Sequence, residues 1–198
     1  MWFLILTTDW CLRWIRDHGS QYPCDMQNIM LTGDSAGGQL AAYSAVLMQS
    51  AQLRKTFDTV DPQMELTALL LTSPVAFMRD GGLFSLYTKP MWGTDYKDKA
   101  TYPYMDFDQI IDYAQALPPT YLITSSGDTL ANKQTHRLYE VLQAHGVQAE
   151  IKDYAKAEYN QSLPHVFSVL QPFEPAGTAA IDKALAFYQQ AMTAKAAQ

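Results

Sequence analysis

One short stretch, Gly33-Asp34-Ser35-Ala36-Gly37-Gly38, limits what this 198-residue chain can fold into. It follows an apolar run at 28–32 that is typical of a buried strand, and it precedes an alanine-rich run at 39–53 that is typical of a helix. The first five residues match G-x-S-x-G, which places serine on a very sharp strand-to-helix turn. We expect Gly33 and Gly37 to leave space where Cβ atoms would otherwise collide. The pattern predicts a reactive serine raised above the edge of a sheet.

The rest of the chain alternates runs of strand type with runs of helix type, which is typical of an α/β fold with a mostly parallel sheet. The run at 66–72 is continuously apolar, as expected for a central strand covered on both faces. With no internal repeat and no Gly/Ser linker, we expect a single domain over 1–198. The predicted strands are 28–32, 66–72, 120–124 and 149–154, and the predicted helices are 9–20, 39–53, 131–144 and 175–192.

A serine hydroxyl becomes a useful nucleophile when an imidazole accepts its proton, and the chain has four histidines. His18 and His145 each precede a glycine at the end of a predicted helix, which explains both as capping residues. His136 lies within a predicted helix, where a solvated or partly packed role fits. His165 lies in the loop between the last strand and the last helix, and we predict it to be the general base.

The imidazole in turn needs a carboxylate that fixes its tautomer. Asp128 directly follows the third predicted strand, in a tight Ser-Gly-Asp turn, and it could also cap the next helix. Asp153 and Glu158 are alternatives on or just past the last strand. The order Ser35, Asp128, His165 along the chain is the Ser…Asp…His order of α/β-hydrolases, which favours Asp128.

The backbone N–H of Ala36 is the predicted oxyanion donor, because it lies at the start of a helix where free donors and the helix dipole favour negative charge. Between the second and third strands, residues 75–118 are rich in aromatic side chains and are predicted to be irregular, forming a lid or a pocket rim. An ordinary surface loop with packed aromatics is the alternative. The residues predicted to line the substrate pocket are Phe77, Trp92, Tyr104 and Phe167.

Composition excludes several classes of protein. The chain carries 14 basic and 20 acidic residues, a net charge of −6, and it has no cluster of Lys and Arg that would bind nucleic acid. Cys11 and Cys24 form neither a disulfide framework nor a metal motif, so reduced thiols in a cytoplasmic protein are expected, with no metal. The N-terminal apolar run at 1–6 is too short for a signal peptide or a membrane span.

The chain resembles the hormone-sensitive-lipase-like branch of the α/β-hydrolases, a family of carboxylesterases and lipases. The resemblance rests on residues 28–40 with their GDSAGG motif, on Leu117-Pro118-Pro119-Thr120-Tyr121, on Gly127-Asp128-Thr129-Leu130 and on His165-Val166-Phe167. It implies Ser35 as nucleophile, His165 as general base and Asp128 as the residue that orients it. It further implies small esters of short to medium acids as substrates and no cofactor.

The family also carries an HGG-type oxyanion loop before the elbow, and this sequence contains no HGG. We therefore expect a C-terminal portion of the fold that lacks the N-terminal strands, with impaired activity. A homo-oligomer formed through an exposed sheet edge is expected as well. Two further readings stay open: a non-catalytic protein of the same fold that acts through association, and an α/β-hydrolase peptidase, which would usually carry an extra domain.

Overall fold

The structure, a computed structural model, describes residues 2–79 and 84–197. Its sheet contains four strands, all parallel, and strands that follow one another in sequence are neighbours in space. All four carboxyl ends therefore meet at one edge of the sheet, and the predicted parallel α/β fold is confirmed. The strands are β1 (Met30–Asp34), β2 (Ala68–Thr72), β3 (Thr120–Ser125) and β4 (Ala149–Tyr154).

Eight α-helices lie among the described residues, and none of them is long and apolar enough to cross a membrane. They are α1 (Trp2–His18), α2 (Ala36–Leu47), α3 (Ala51–Phe57), α4 (Phe84–Trp92), α5 (Asn132–Ala144), α6 (Lys156–Tyr159), α7 (Phe167–Leu170) and α8 (Pro175–Ala196).

Side chains of the central strands alternate between two hydrophobic clusters, one on each face of the sheet. On β2, Leu69 and Leu71 belong to the cluster that also contains residues of α1, α2, α3 and α5. Their neighbour Ala68 belongs to the second cluster, which is built mainly with α8. Because successive strand residues point to opposite faces, this alternation places helices on both sides and gives three layers.

Apart from shifts of a few residues at the ends of strands and helices, three predicted elements differ from the structure. The first helix begins at Trp2 and not at residue 9. The described part of the apolar run at 1–6 therefore forms the start of this helix. The predicted helix 39–53 is two helices, because the Ser50 hydroxyl accepts a hydrogen bond from Leu53 N–H (3.2 Å) and caps a new helix there.

The third difference is the segment 75–118, which was predicted to be irregular. It contains α4 and several short 3₁₀ helices, and an isolated bridge pairs Phe77 with Asp106. Phe77 N–H donates to Gln134 Oε1, and the Gln134 amide N–H donates to the Phe77 carbonyl (3.0 Å each), which attaches the start of this segment to α5. Its residues 80–83 lie outside the described residues.

Candidate active site

The turn between β1 and α2 holds Ser35 in a left-handed backbone conformation, with φ 51° and ψ −117°. A non-glycine residue rarely adopts this conformation, which is the strain expected at such an elbow. Three backbone hydrogen bonds hold it there: Ser35 N–H donates to Thr72 C=O (3.0 Å), and Ser35 C=O accepts from Gln39 N–H (3.2 Å) and Val75 N–H (3.1 Å). Ala36 begins α2, so its N–H is among the first-turn donors that have no acceptor within the helix.

Two of the three elbow glycines are required by close contacts. A Cβ at Gly33 would lie 2.2 Å from the carbonyl oxygen of Gly37, and a Cβ at Gly38 would lie 2.9 Å from Cβ of Pro74. Gly37 differs, because the nearest atom to a Cβ there is Asp34 Oδ1 at 4.0 Å. The prediction that Gly37 avoids a collision is therefore wrong; the tight approach is between β1 and the backbone at 37–38.

The three residues predicted from chain order form one hydrogen-bonded chain. Nε2 of His165 lies 2.9 Å from Ser35 Oγ, and Nδ1 of the same ring lies 3.0 Å from Asp128 Oδ2. Because an ionised carboxylate only accepts hydrogen bonds, the ring proton belongs on Nδ1, and Nε2 is left to accept from the serine hydroxyl. The arrangement can take a proton from Ser35 as its oxygen attacks.

The Asp128 side chain is fully buried, whereas 24% of the His165 side chain is exposed. Burial raises the pKa of the Asp128 carboxyl, but hydrogen bonds from the His165 ring and from Ala131 N–H outweigh burial and hold the pKa below its usual range. Oδ1 of Asp128 also accepts from Leu130 N–H (3.0 Å), so the carboxylate caps the turn before α5 as well. Asp128 therefore stays ionised beside the imidazole.

The alternative acids are engaged elsewhere. Asp153 Oδ2 lies 2.9 Å from His136 Nε2 and accepts from the Asn132 amide (2.9 Å), while Glu158 pairs with Lys152 at 3.4 Å. This second His–Asp pair is separate from the hydrogen bonds that join Asp128, His165 and Ser35.

The two histidines explained as capping residues make the contacts expected of that role. Nδ1 of His18 lies 2.9 Å from the carbonyl oxygen of Trp14, and Nδ1 of His145 lies 2.7 Å from that of Val141. Each carbonyl lies four residues earlier, in the last turn of a helix. Of the four histidines, His165 is the one that bonds to Ser35.

Two residues position the His165 loop in ways that the sequence analysis did not assign to them. A Cβ at Gly127 would lie 2.5 Å from the Leu163 carbonyl oxygen, so glycine lets this loop pack against the end of β3. Val166, next to His165, has φ 52°, a strained value for a β-branched residue. Gly127 stands in the Ser-Gly-Asp turn and could have been recognised there, whereas no local signal marks Val166.

The four aromatic residues predicted for the pocket lie mostly in the packed interior. Phe77 and Phe167 are completely buried, each in a hydrophobic cluster, and Trp92 is 3% exposed beside Tyr43. Tyr104 is half-buried, and its carbonyl oxygen accepts from the Tyr43 hydroxyl (2.8 Å). At these positions the aromatic rings pack in the interior of the protein. Their role in lining the substrate pocket stays a prediction.

Among the described residues, no group of His, Cys, Asp and Glu side chains is arranged to hold a metal ion. Cys11 and Cys24 are exposed and free.

A parallel sheet with a serine elbow after one strand, and with histidine and aspartate reaching it from later strand ends, defines the class of α/β-hydrolases. The chain belongs to the alpha/beta hydrolase fold family, whose model matches residues 10–163. No curated protein shows a significant sequence match to the chain.

Solved structures of esterases are similar to this chain over almost its whole length. Esterase B from Lactobacillus Rhamnosis is 27% identical with a TM-score of 0.87, and the match covers 96% of this chain and 61% of that one. The same esterase inhibited by a C4-C4 SN3 tributyrin phosphonate is 28% identical, with a TM-score of 0.85 and coverage of 98% and 63%. A butyrate-bound thermophilic esterase, Est2 from Thermogutta terrifontis, shares the fold at 21% identity, with a TM-score of 0.62 and coverage of 94% and 64%. The chain spans about three fifths of the length of these structures.

Proposed function

We propose that this protein is a serine carboxylesterase or lipase-like hydrolase that cleaves short- to medium-chain carboxylic esters through an acyl-enzyme on Ser35. The observation that carries the proposal is the hydrogen-bonded chain from Ser35 Oγ through both nitrogens of His165 to Asp128. It joins a hydroxyl on a strained elbow to a base whose tautomer is fixed by a buried carboxylate, which is the arrangement that activates serine.

In the first half of the reaction, Ser35 Oγ attacks the ester carbonyl carbon while its proton passes to Nε2 of His165. Asp128 remains ionised and stabilises the imidazolium through the Nδ1–H hydrogen bond. The Ala36 N–H stabilises the negative charge that develops on the carbonyl oxygen. The tetrahedral intermediate then collapses: the bond to the alkoxy oxygen breaks, His165 gives its proton to that oxygen, and the alcohol leaves.

In the second half, His165 accepts a proton from water as the water oxygen attacks the acyl carbon. The bond from that carbon to Ser35 Oγ breaks, the imidazolium returns its proton to Oγ, and the carboxylic acid is released. Neither half requires a cofactor, because every proton is carried by His165.

The solved relatives support the choice of an ester substrate. Esterase B from Lactobacillus Rhamnosis, 28% identical to this chain, is inhibited by a tributyrin phosphonate, and tributyrin is an ester of a four-carbon acid. The sequence contains no HGG motif that would supply a second oxyanion donor. We therefore expect the turnover of this chain to be lower, by a factor of ~10²–10³, than the turnover of an enzyme with both donors.

The proposal is tested by hydrolysis of p-nitrophenyl acetate and p-nitrophenyl butyrate by the full chain and by Ser35→Ala. We expect the full chain to release p-nitrophenol above the background rate, and Ser35→Ala to show no such excess. Equal rates for the two proteins would rule the proposal out. Asp153→Asn serves as a matched control, because Asp153 forms a His–Asp pair that does not reach Ser35.

A second candidate, a non-catalytic protein that acts by association, is favoured by unpaired and exposed surfaces. In the described sheet β1 and β4 are edge strands, and on α1 the side chains of Trp10 and Trp14 are 70% and 51% exposed. We propose self-association through the edge of β1, where backbone groups remain available for strand pairing. Sedimentation velocity at rising protein concentration should show a dimer or larger species, and a monomer at all concentrations would contradict it.

A further inference from the structure

Three exposed apolar side chains follow His165 closely along the chain. Val169 and Leu170, at the end of α7, are 52% and 66% exposed, and Phe173, just before α8, is 96% exposed. Single exposed apolar residues are ordinary on protein surfaces, but a phenylalanine with so little contact to the rest of the protein leaves nearly its whole ring in water. Exposed apolar groups gathered on one short segment mark a surface that binds another apolar surface. We call Val169, Leu170 and Phe173 the apolar patch.

Backbone contacts fix the apolar patch relative to the candidate active site. Gln171 N–H donates to the Phe167 carbonyl (2.8 Å), which closes the turn that carries the patch. Glycine at 177 lets α8 start directly against the Gln171 carbonyl, because a Cβ on Gly177 would collide with that oxygen. Four peptide units separate His165 from Val169, so their Cα atoms are at most ~14 Å apart. A surface that binds the patch therefore comes close to the site.

The segment that carries the patch has almost no charge. Among the Asp, Glu, Lys and Arg residues of the sequence, Glu174 is the single one between Glu158 and Asp182. The exposed apolar side chains of α8 differ, because Ile181, 39% exposed, is followed directly by Asp182 and Lys183. An uncharged apolar patch matches a lipid surface without net charge, whereas the net charge of −6 on the chain opposes approach to an anionic surface.

We propose that the apolar patch docks the protein on a lipid–water surface of no net charge. The inference rests on the proposed function, whose uncharged and apolar ester substrates collect in such a surface. Phe173 carries most of the binding, because its ring passes almost entirely from water into the apolar layer. Docking holds the His165 loop at the surface, so that an ester leaving the lipid layer reaches Ser35 over a short distance.

Docking is measured by flotation of the chain with phosphatidylcholine vesicles, which needs no catalysis and is repeated with Ser35→Ala. We expect both proteins to bind, Phe173→Ser to bind at least about tenfold more weakly, and Phe173→Trp to bind as well as the unmodified chain. Trp10→Ser removes another exposed aromatic side chain, on α1, and as the matched control it should bind unchanged. Equal binding by Phe173→Ser and the unmodified chain, or no binding by either, would overturn the proposal.

Two further outcomes would assign the patch to a different partner. Tighter binding to phosphatidylglycerol vesicles than to phosphatidylcholine vesicles would contradict a surface of no net charge. Loss of a dimer in Phe173→Ser, seen by sedimentation velocity with vesicle binding unchanged, would make the patch an interface between copies of the chain and would overturn lipid docking.

A kinetic comparison links docking to the proposed function. When droplet surface is limiting, Phe173→Ser should lower the rate on tributyrin droplets, relative to the rate on dissolved p-nitrophenyl acetate, by about the factor found for vesicle binding. An unchanged ratio of the two rates would overturn the role of the patch in hydrolysis. Absence of hydrolysis of both esters by the unmodified chain would overturn the proposed function, while vesicle binding that depends on Phe173 would still establish the docking surface.

Discussion

Nε2 of His165 lies 2.9 Å from Oγ of Ser35, although 130 positions separate the two residues along the chain. The contact forms because β1 through β4 are parallel and deliver Ser35, Asp128 and the His165 loop to one edge of the sheet. Since the contact depends on the whole sheet, it links the integrity of the fold directly to the chemistry of the site.

Replacing Asp128 by asparagine should lower kcat on p-nitrophenyl butyrate by about 10⁴, because the amide no longer fixes the Nδ1–H tautomer of His165. The comparison is with Asp153→Asn, which alters the half-buried acid of the second His–Asp contact, at 2.9 Å. If both substitutions reduced kcat equally, the assignment of Asp128 as the orienting acid would be incorrect.

The lowered pKa of Asp128 also predicts how stability depends on pH. Its folded-state pKa lies below the ordinary value of 3.8, so as pH falls below about 4 the unfolded chain binds a proton first and unfolding becomes easier. The contribution of Asp128 is complete above that pH and is lost below it. In urea unfolding between pH 6 and pH 3, the difference in unfolding free energy between the unmodified chain and Asp128→Asn should shrink towards low pH. A difference that stays constant would contradict the assignment.

Alanine should be tolerated very differently at two glycines of the same elbow. Gly33→Ala places a Cβ 2.2 Å from a backbone oxygen and should destabilise the fold by about 3 kcal/mol, with loss of ester hydrolysis. Gly37→Ala meets nothing closer than 4.0 Å and should leave the unfolding free energy unchanged within about 0.5 kcal/mol. Chemical denaturation of both variants checks this; equal losses would show that the close approach at Gly33 does not govern the turn.

Gln134 attaches residue 77 to α5 through two hydrogen bonds at 3.0 Å. Gln134→Leu leaves both backbone groups of Phe77 buried without partners and should lower the unfolding free energy by about 2–4 kcal/mol. On the same helix, Gln143 is exposed, so Gln143→Leu should change the unfolding free energy by less than about 0.5 kcal/mol. The prediction fails if urea denaturation gives the two variants similar midpoints.

The residues of the site could be predicted from sequence because each stands beside a local signal. The GDSAGG motif marks Ser35, the Ser-Gly-Asp turn marks Asp128, and His165 is the histidine that lies neither inside nor at the end of a predicted helix. The parallel sheet followed from the alternation of apolar runs and helical periods.

What sequence could not provide depends on contacts between distant segments. The break before α3 is set by one hydroxyl, Ser50, in a run that otherwise favours helix. Ser73 reads as the end of a strand before a proline, and the hydrogen bond from its N–H to the Ile123 carbonyl (2.7 Å) exists only once β2 and β3 are paired. Likewise, aromatic side chains such as Phe77 look alike in a pocket wall and in a core, because both are apolar.

The most direct test of the central claim is covalent labelling by a fluorophosphonate probe, read by mass spectrometry of the intact chain and of its peptides. The probe reacts with a serine that a neighbouring base activates. We expect one adduct, located on Ser35, and none in Ser35→Ala, with slower labelling in Asp128→Asn. Failure of the folded chain to be labelled, or labelling that persists in Ser35→Ala, would contradict the assignment of Ser35 as an activated nucleophile.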